Sequence, residues 1–394
     1  MAGVLLAVAL VGGVAVLGIH LFHTRHSAPS PIGAQPTGSS TPATAPGTAV
    51  AAPSAPPGCG DMTSLLASMS PRDKLAQLLM VGVTDAADAR AVVANQHVGG
   101  IFIGSWTDLS MLPDGELKAI SGSAGPLGLA VSLDEEGGRV QRLSKLIGSA
   151  PSARVLAQTQ TPDQVYQLAL DHGRKMHDLG ITVDFAPVVD VTDAPDDTVI
   201  GDRSFSPDPA KVTQYAGVYA KGLREAGVLP VLKHFPGHGH ASGDSHQTGV
   251  VTPPLADLQN VDLVPYRTLT AQTPVGVMIG HMQVPELTGD DQASLSPEAY
   301  KLLRTGGYGG PPFNGPVFTD DLSSMKAITD QYGVAQAALK ALQAGADTAL
   351  WVTTTEVPAV LDQLESALNG GELNPARVDA SVRRMAAAKA FCGH

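Results

Sequence analysis

Short apolar runs recur along this chain from Gly60 onward, separated by stretches in which apolar positions return every three or four residues. The runs cover 79–83, 100–104, 128–133, 183–189, 228–232, 275–279, 316–319 and 348–352. They are nearly continuous rather than alternating, the pattern of parallel strands buried on both faces. The stretches between them carry helix signals. Ser70-Pro71-Arg72-Asp73 and Thr161-Pro162-Asp163-Gln164 each place a capping side chain before a proline at the first helical position. Val165, Leu168, Ala169, Met176 and Leu179 then keep one apolar face, as do Val212, Tyr215, Ala216, Tyr219 and Leu223 before Gly227. Eight strand–helix units predict a (β/α)8 TIM-like barrel forming a single catalytic domain. A doubly wound open sheet is the alternative.

The first 58 residues break this pattern. Residues 3–22 form an apolar run of about 20 residues, long enough to span a bilayer. It reads as a signal or membrane anchor (1–26). A Pro/Ala/Ser/Thr-rich segment without periodicity follows (27–58) and reads as an extended linker. The folded domain is then 59–394. An exported or membrane-tethered protein at the cell envelope is expected, and in an oxidising compartment Cys59 and Cys392 could bridge the two ends of the domain.

Of the 394 residues 43% are apolar and 16% charged, a globular composition, and the net charge of -12 argues against a nucleic-acid partner and an anionic membrane surface. A local cationic cluster could still serve an acidic substrate.

Ionisable residues gather where the predicted strands end. Asp134-Glu135-Glu136-Gly137-Gly138-Arg139 follows the third, Asp190 the fourth, Lys233-His234 the fifth, His281 the sixth and Asp320-Asp321 the seventh. In a barrel, these ends form the catalytic face. The densest cluster runs from Lys233 to His246 and includes His234, His238, His240 and Asp244. Three readings compete for it. His238, His240, Asp244 and His246 have the ligand types of a metal site. Asp244 and His246, two residues apart, could instead share a face and work as a coupled acid/base pair. His238, beside two glycines, could simply shape the loop.

Lys233-His234-Phe235-Pro236-Gly237-His238-Gly239-x4-Asp244-Ser245-His246 resembles the signature of family 3 glycoside hydrolases of the β-N-acetylglucosaminidase type. Asp134-Glu135-Glu136-Gly137-Gly138-Arg139-Val140-Gln141-Arg142, Gly201-Asp202-Arg203-Ser204-Phe205 and Thr319-Asp320-Asp321-Leu322 resemble three further blocks of that family, in the same order. The resemblance implies a retaining mechanism in which Asp320 is the nucleophile and His246, oriented by Asp244, the acid/base. It implies that Asp134, Arg142, Arg203, Lys233 and His234 bind the sugar, with Met282 near it. No cofactor and no metal are implied. The expected substrate is a small carbohydrate, an N-acetylglucosaminyl-β-1,4-N-acetylmuramic acid fragment of peptidoglycan, acted on by a monomer. A phosphorylase using phosphate as acceptor is the runner-up, and a metal-dependent barrel hydrolase stands behind it. Two departures from the family pattern stand out. Val191-Thr192-Asp193-Ala194-Pro195-Asp196-Asp197 replaces an Asn-rich segment, and no second α/β domain is expected after the barrel.

Overall fold

The structure, a computed structural model, describes residues 62–272 and 274–390. The apolar run, the linker, Cys59 and Cys392 lie outside the described residues. Eight parallel strands form one sheet in chain order: β1 (Leu79–Val83), β2 (Gly100–Ile103), β3 (Ala130–Leu133), β4 (Val183–Asp184), β5 (Leu229–Phe235), β6 (Gly276–Ile279), β7 (Val317–Thr319) and β8 (Ala349–Trp351). β1 pairs with both β2 and β8, with Leu79 opposite Ala349. The ring closes where Phe318 bridges Thr348 in parallel and the Thr319 N–H donates to the Thr348 carbonyl at 3.0 Å. The closed (β/α)8 barrel, rather than the open sheet, is therefore the fold.

All eight apolar runs became barrel strands because each is buried both inside the ring and against the helices. Inside it, Met80, Phe102, Ala130, Val183, Leu229, Val231, Met278, Phe318 and Leu350 pack together, and the helix Pro375–Ala390 adds Met385 to that cluster. The opposite strand faces pack on the helices. In Pro209–Glu225, Val212, Tyr215, Ala216, Tyr219 and Leu223 are all buried, with Val212 and Leu223 each contributing about 1.5–3 kcal/mol. Helix Pro162–Asp178 starts with a capping box between Thr161 and Gln164, and Ser70 caps Pro71–Ala76 by accepting from the Asp73 N–H. Just before β8, the fully buried Asp347 accepts hydrogen bonds from Arg304 (2.5 Å), Arg384 (2.9 Å), Ser381 (2.7 Å) and the Val317 N–H (2.9 Å).

Two strands differ from their sequence reading. β4 stops at Asp184, because Pro187 has no N–H for the ladder, and pairing resumes only as a bridge from Val188 to Lys233. β5 continues through Lys233 and His234 to Phe235, beyond the apolar run. Its register against β6 passes from Leu232↔Val277 to Phe235↔Ile279, one extra residue on β5 and hence a bulge. Adjacent strand residues normally point to opposite faces. The bulge lets both Lys233 and His234 line the cavity at the strand ends.

Candidate active site

A cavity of about 370 Å³ opens at the C-terminal mouth of the barrel. One wall begins at β3. Alternation beyond the strand turns Asp134 and Glu136 toward the cavity and Glu135 away from it. Glu135 accepts from the Arg142 and Leu143 N–H groups at 2.6 and 2.8 Å, which folds the following loop back. Lys233 Nζ is 2.6 Å from both Asp134 Oδ1 and Glu136 Oε1. Arg203 forms a two-pronged bond with Glu136, Nε to Oε2 and Nη2 to Oε1, both at 2.8 Å. Arg142 Nη2 approaches Asp134 Oδ2 at 3.4 Å.

Burial alone would protonate Glu136, but Arg203 and Lys233 outweigh it and hold the carboxyl far below its usual range. Burial would likewise neutralise Lys233, yet Asp134 and Glu136 keep its ammonium above its ordinary value. The wall is thus a set of mutually fixed hydrogen-bonding groups, with Glu136 and Lys233 held in their charged forms, suited to the hydroxyls of a sugar. Glu136 is the functional residue that sequence reasoning passed over. Its signal was its place two residues after Asp134, on the same face.

Asp190, beyond β4, is fully buried and organises the next wall. Its Oδ2 accepts a hydrogen bond from His234 Nδ1 at 2.7 Å, and its Oδ1 accepts from the backbone N–H groups of His234 (3.2 Å) and His238 (2.8 Å). Burial would raise this carboxyl, but the neighbouring His234 and His238 lower it overall. His234 is therefore fixed in one orientation with its ring on the cavity.

Asp320 follows β7 and lines the cavity, whereas Asp321 does not. Asp321 is buried; its Oδ1 accepts from the Ser323 N–H and hydroxyl, both at 2.8 Å, and Ser324 bonds its other oxygen. Asp321 shapes the loop. Among the described residues Asp320 accepts the Asp321 N–H at 2.9 Å and no other bond, leaving carboxylate capacity for the cavity. Burial would raise the Asp320 pKa, but His234 and His281 outweigh it and keep the group below the usual carboxylate range. His281 is buried, which lowers its pKa; it donates from Nε2 to the Asp321 carbonyl at 2.7 Å while Nδ1 meets the Ser294 hydroxyl at 2.7 Å. It steadies the backbone beside Asp320.

Across from this floor runs the loop after β5. His246 Nδ1 lies 2.9 Å from Asp244 Oδ1, which also accepts the His246 N–H at 2.9 Å. Gln247 donates to Asp244 Oδ2 at 3.1 Å. Burial opposes the Asp244 charge, but these bonds keep the carboxyl below its ordinary pKa. The His246 side chain is 52% exposed, unlike the buried groups below it. Between the two, Ser245 is buried, and its carbonyl accepts the Ala327 N–H at 3.2 Å.

The other histidines of the cluster have separate partners. His238 faces Ser245 at 3.5 Å, and desolvation lowers its pKa. His240 bonds both oxygens of the buried Asp262 at 3.1 Å, and that bond raises its pKa. The glycines between them are there for space. A Cβ on Gly239 would sit 2.0 Å from the Val191 carbonyl oxygen, and one on Gly237 (φ 132°) 2.4 Å from the Asp262 Cβ. Among the described residues no three potential metal-ligating side chains converge.

Asp134, Arg142, Arg203, Lys233, His234, Asp244, His246 and Asp320 all line the one cavity. Met282 does not. It is fully buried, because the chain after β6 turns into a short parallel pair, Val250–Val251 with Met282–Gln283, that aims it into the core. Met325 lines the cavity instead. The segment that departs from the family pattern borders the site through Asp197. Arg154 pins it, donating to the Ala194 carbonyl (2.8 Å), Asp196 (2.7 Å) and the Gly201 carbonyl (2.7 Å).

Residues 70–388 match the model of the glycosyl hydrolase family 3 N terminal domain. The chain is 67% identical over 360 residues to Beta-hexosaminidase LpqI of Mycobacterium tuberculosis, covering 91% of this chain and 92% of that protein. A crystal structure of a family 3 glycosyl hydrolase from Mycobacterium smegmatis superposes with a TM-score of 0.82 at 74% identity, covering 82% of this chain and 98% of the other. A family 3 β-N-acetylglucosaminidase from Paenibacillus sp. superposes with a TM-score of 0.76 at 32% identity, covering 82% of this chain and 62% of the other.

Proposed function

Because the chain belongs to glycoside hydrolase family 3, we propose that it is a β-N-acetylhexosaminidase that works by double displacement, with Asp320 as nucleophile and the Asp244–His246 pair as acid/base. The observation that carries this reading is that a partly buried carboxylate, Asp320, held below its usual pKa by His234 and His281 against the opposing effect of burial, and a His–Asp pair whose His246 is half-exposed line the same cavity. Asp320 attacks the anomeric carbon and the glycosidic C–O bond breaks. With Nδ1–H held by Asp244, Nε2 of His246 is the atom that gives its proton to the departing oxygen. Water then enters, returns a proton to Nε2, and displaces Asp320 from the sugar carbon. Asp134, Glu136, Lys233 and Arg203 hold the sugar hydroxyls in place, supplying the orientation that such chemistry requires.

The substrate we propose is the N-acetylglucosaminyl-β-1,4-N-acetylmuramic acid unit of peptidoglycan fragments. The motif resemblance and the names of the relatives support an N-acetylhexosaminide. The apolar run at 3–22 and the linker behind it support work outside the cytoplasm, at the envelope. Product analysis on defined muropeptides tests the substrate: release of free N-acetylglucosamine is expected, and intact fragments would refute it. A phosphorylase remains the second reading, favoured by Arg139, Arg142 and Arg203 lining the cavity and by an acid/base that carries no negative charge. Sugar 1-phosphate formed in the presence of phosphate would select it. His246→Ala tests the proton-transfer role. The loss should be larger on natural fragments than on a p-nitrophenyl glycoside, whose leaving group needs no proton; equal losses would refute it.

A further inference from the structure

The site as described is almost entirely polar, yet a large aromatic ring with no part in the proposed mechanism stands one strand away from its Asp134 wall. Trp106, just beyond β2, is 46% exposed. Its position is fixed by strand parity. Phe102 belongs to the cluster inside the barrel, so two residues on, Gly104 also faces inward. A Cβ on Gly104 would lie 2.3 Å from Trp106 Cη2, so the indole fills that inward-facing volume. Ile103 is opposite Leu133 in the β2–β3 register, which puts Gly104 level with Asp134, one strand spacing of about 4.8 Å away.

The ring is also held from behind. Its centroid is 6.0 Å from that of Phe102, which is 6.0 Å from Phe185, itself 5.5 Å from Phe318. This aromatic row crosses the barrel interior from β7 to β2 and ends at Trp106. The turn that carries it is tied to β1. The Gly104 N–H donates to Thr107 Oγ1 at 3.0 Å, and that hydroxyl donates to the Val83 carbonyl at 2.7 Å. A half-exposed indole with a fixed orientation, packed over Gly104 beside Asp134, is a preformed apolar surface, able to pack on C–H groups at little entropic cost.

β3 and β7 are four strands apart in the ring of eight, so Asp134 and Asp320 face each other across the mouth. The reacting carbon lies at Asp320. Trp106, on the Asp134 side, is therefore next to the edge of the sugar remote from the scissile bond. We infer that Trp106 is a specificity-determining residue that packs on the C–H surface at the non-reducing edge of the bound pyranose. The inference rests on the hexosaminidase reading and deepens it.

Kinetics and fluorescence test it together. W106A should raise KM for p-nitrophenyl N-acetyl-β-glucosaminide about tenfold while kcat changes less than about threefold, and W106F should restore most of the affinity. The chain has two tryptophans, and Trp351 is buried in the outer core, where its emission is a constant background. Titrating N-acetylglucosamine should shift the emission of the parent saturably, with a midpoint at the sugar's inhibition constant, and should leave W106F emission unchanged. An unchanged KM in W106A, or unshifted emission at sugar concentrations that inhibit hydrolysis, would overturn the role of Trp106 alone. A parent enzyme inert toward the glycoside would overturn the role and the hexosaminidase reading together. Should W106A fail to fold, the parent and W106F titrations decide the matter.

Discussion

Asp320 has few hydrogen bonds of its own and a lowered pKa, the state a carboxylate nucleophile needs. Asp320→Asn keeps the acceptor for the Asp321 N–H and removes the charge. Turnover of an aryl N-acetylglucosaminide should fall at least about a thousandfold with the melting temperature nearly unchanged. Retained activity would sink the assignment. The pKa shift also has a direction in pH. Because the native value lies below the ordinary one near 3.9, Asp320 stays ionised until the pH falls under about 4. The acid limb of kcat/KM should therefore lie below about pH 4 in brief assays, and a limb near pH 5–6 would contradict the charge environment described here. At this scale the sequence was informative where a motif names a residue and silent where geometry does. Asp190 and Glu136 each orient two functional groups, yet neither partner set can be read from spacing, because the partners arrive from other strands. Met282 misled because its place after His281 looks like a strand end, and only the pairing with Val250 shows it turning inward.

At the scale of elements, the loop after β5 depends on its glycines more than on its histidines. Gly239 lets the loop pass against the Val191 carbonyl, and nothing larger fits there. Gly239→Ala should cost about 1–3 kcal/mol of stability through overpacking, read by thermal unfolding, and should reduce kcat because the displaced loop carries His246. A variant with native stability and full activity would show that the two loops can separate freely. The barrel strands were legible because burial on both faces leaves unbroken apolar runs. The length of β5 was not. Lys233 and His234 are polar, and polarity in a run of this kind normally marks its end. Here the strand continues because its last residues line a charged cavity, and a bulge turns both of them toward it.

For the molecule as a whole, the closure of the ring is the feature most exposed to a single change. Asp347 is fully buried beside β7 and β8 and receives two arginines. Asp347→Ala would leave Arg304 and Arg384 without their buried partner, a loss of about 3–5 kcal/mol. A urea unfolding curve should show a lower midpoint with an unchanged slope. A shift under about 1 kcal/mol would mean the seam is held by its backbone pairing alone.

That seam also has a consequence for how the protein is made. A ribosome delivers β1 early and β8 late, and β1 has no partner on one side until β8 emerges. The floor of the barrel waits longer still, since Met385 comes from the last described helix. Met80, Phe102 and Phe318 thus stay unsealed until that helix has emerged, and the barrel closes by joining its first strand to its last, a pairing of high sequence separation that forms late and slowly.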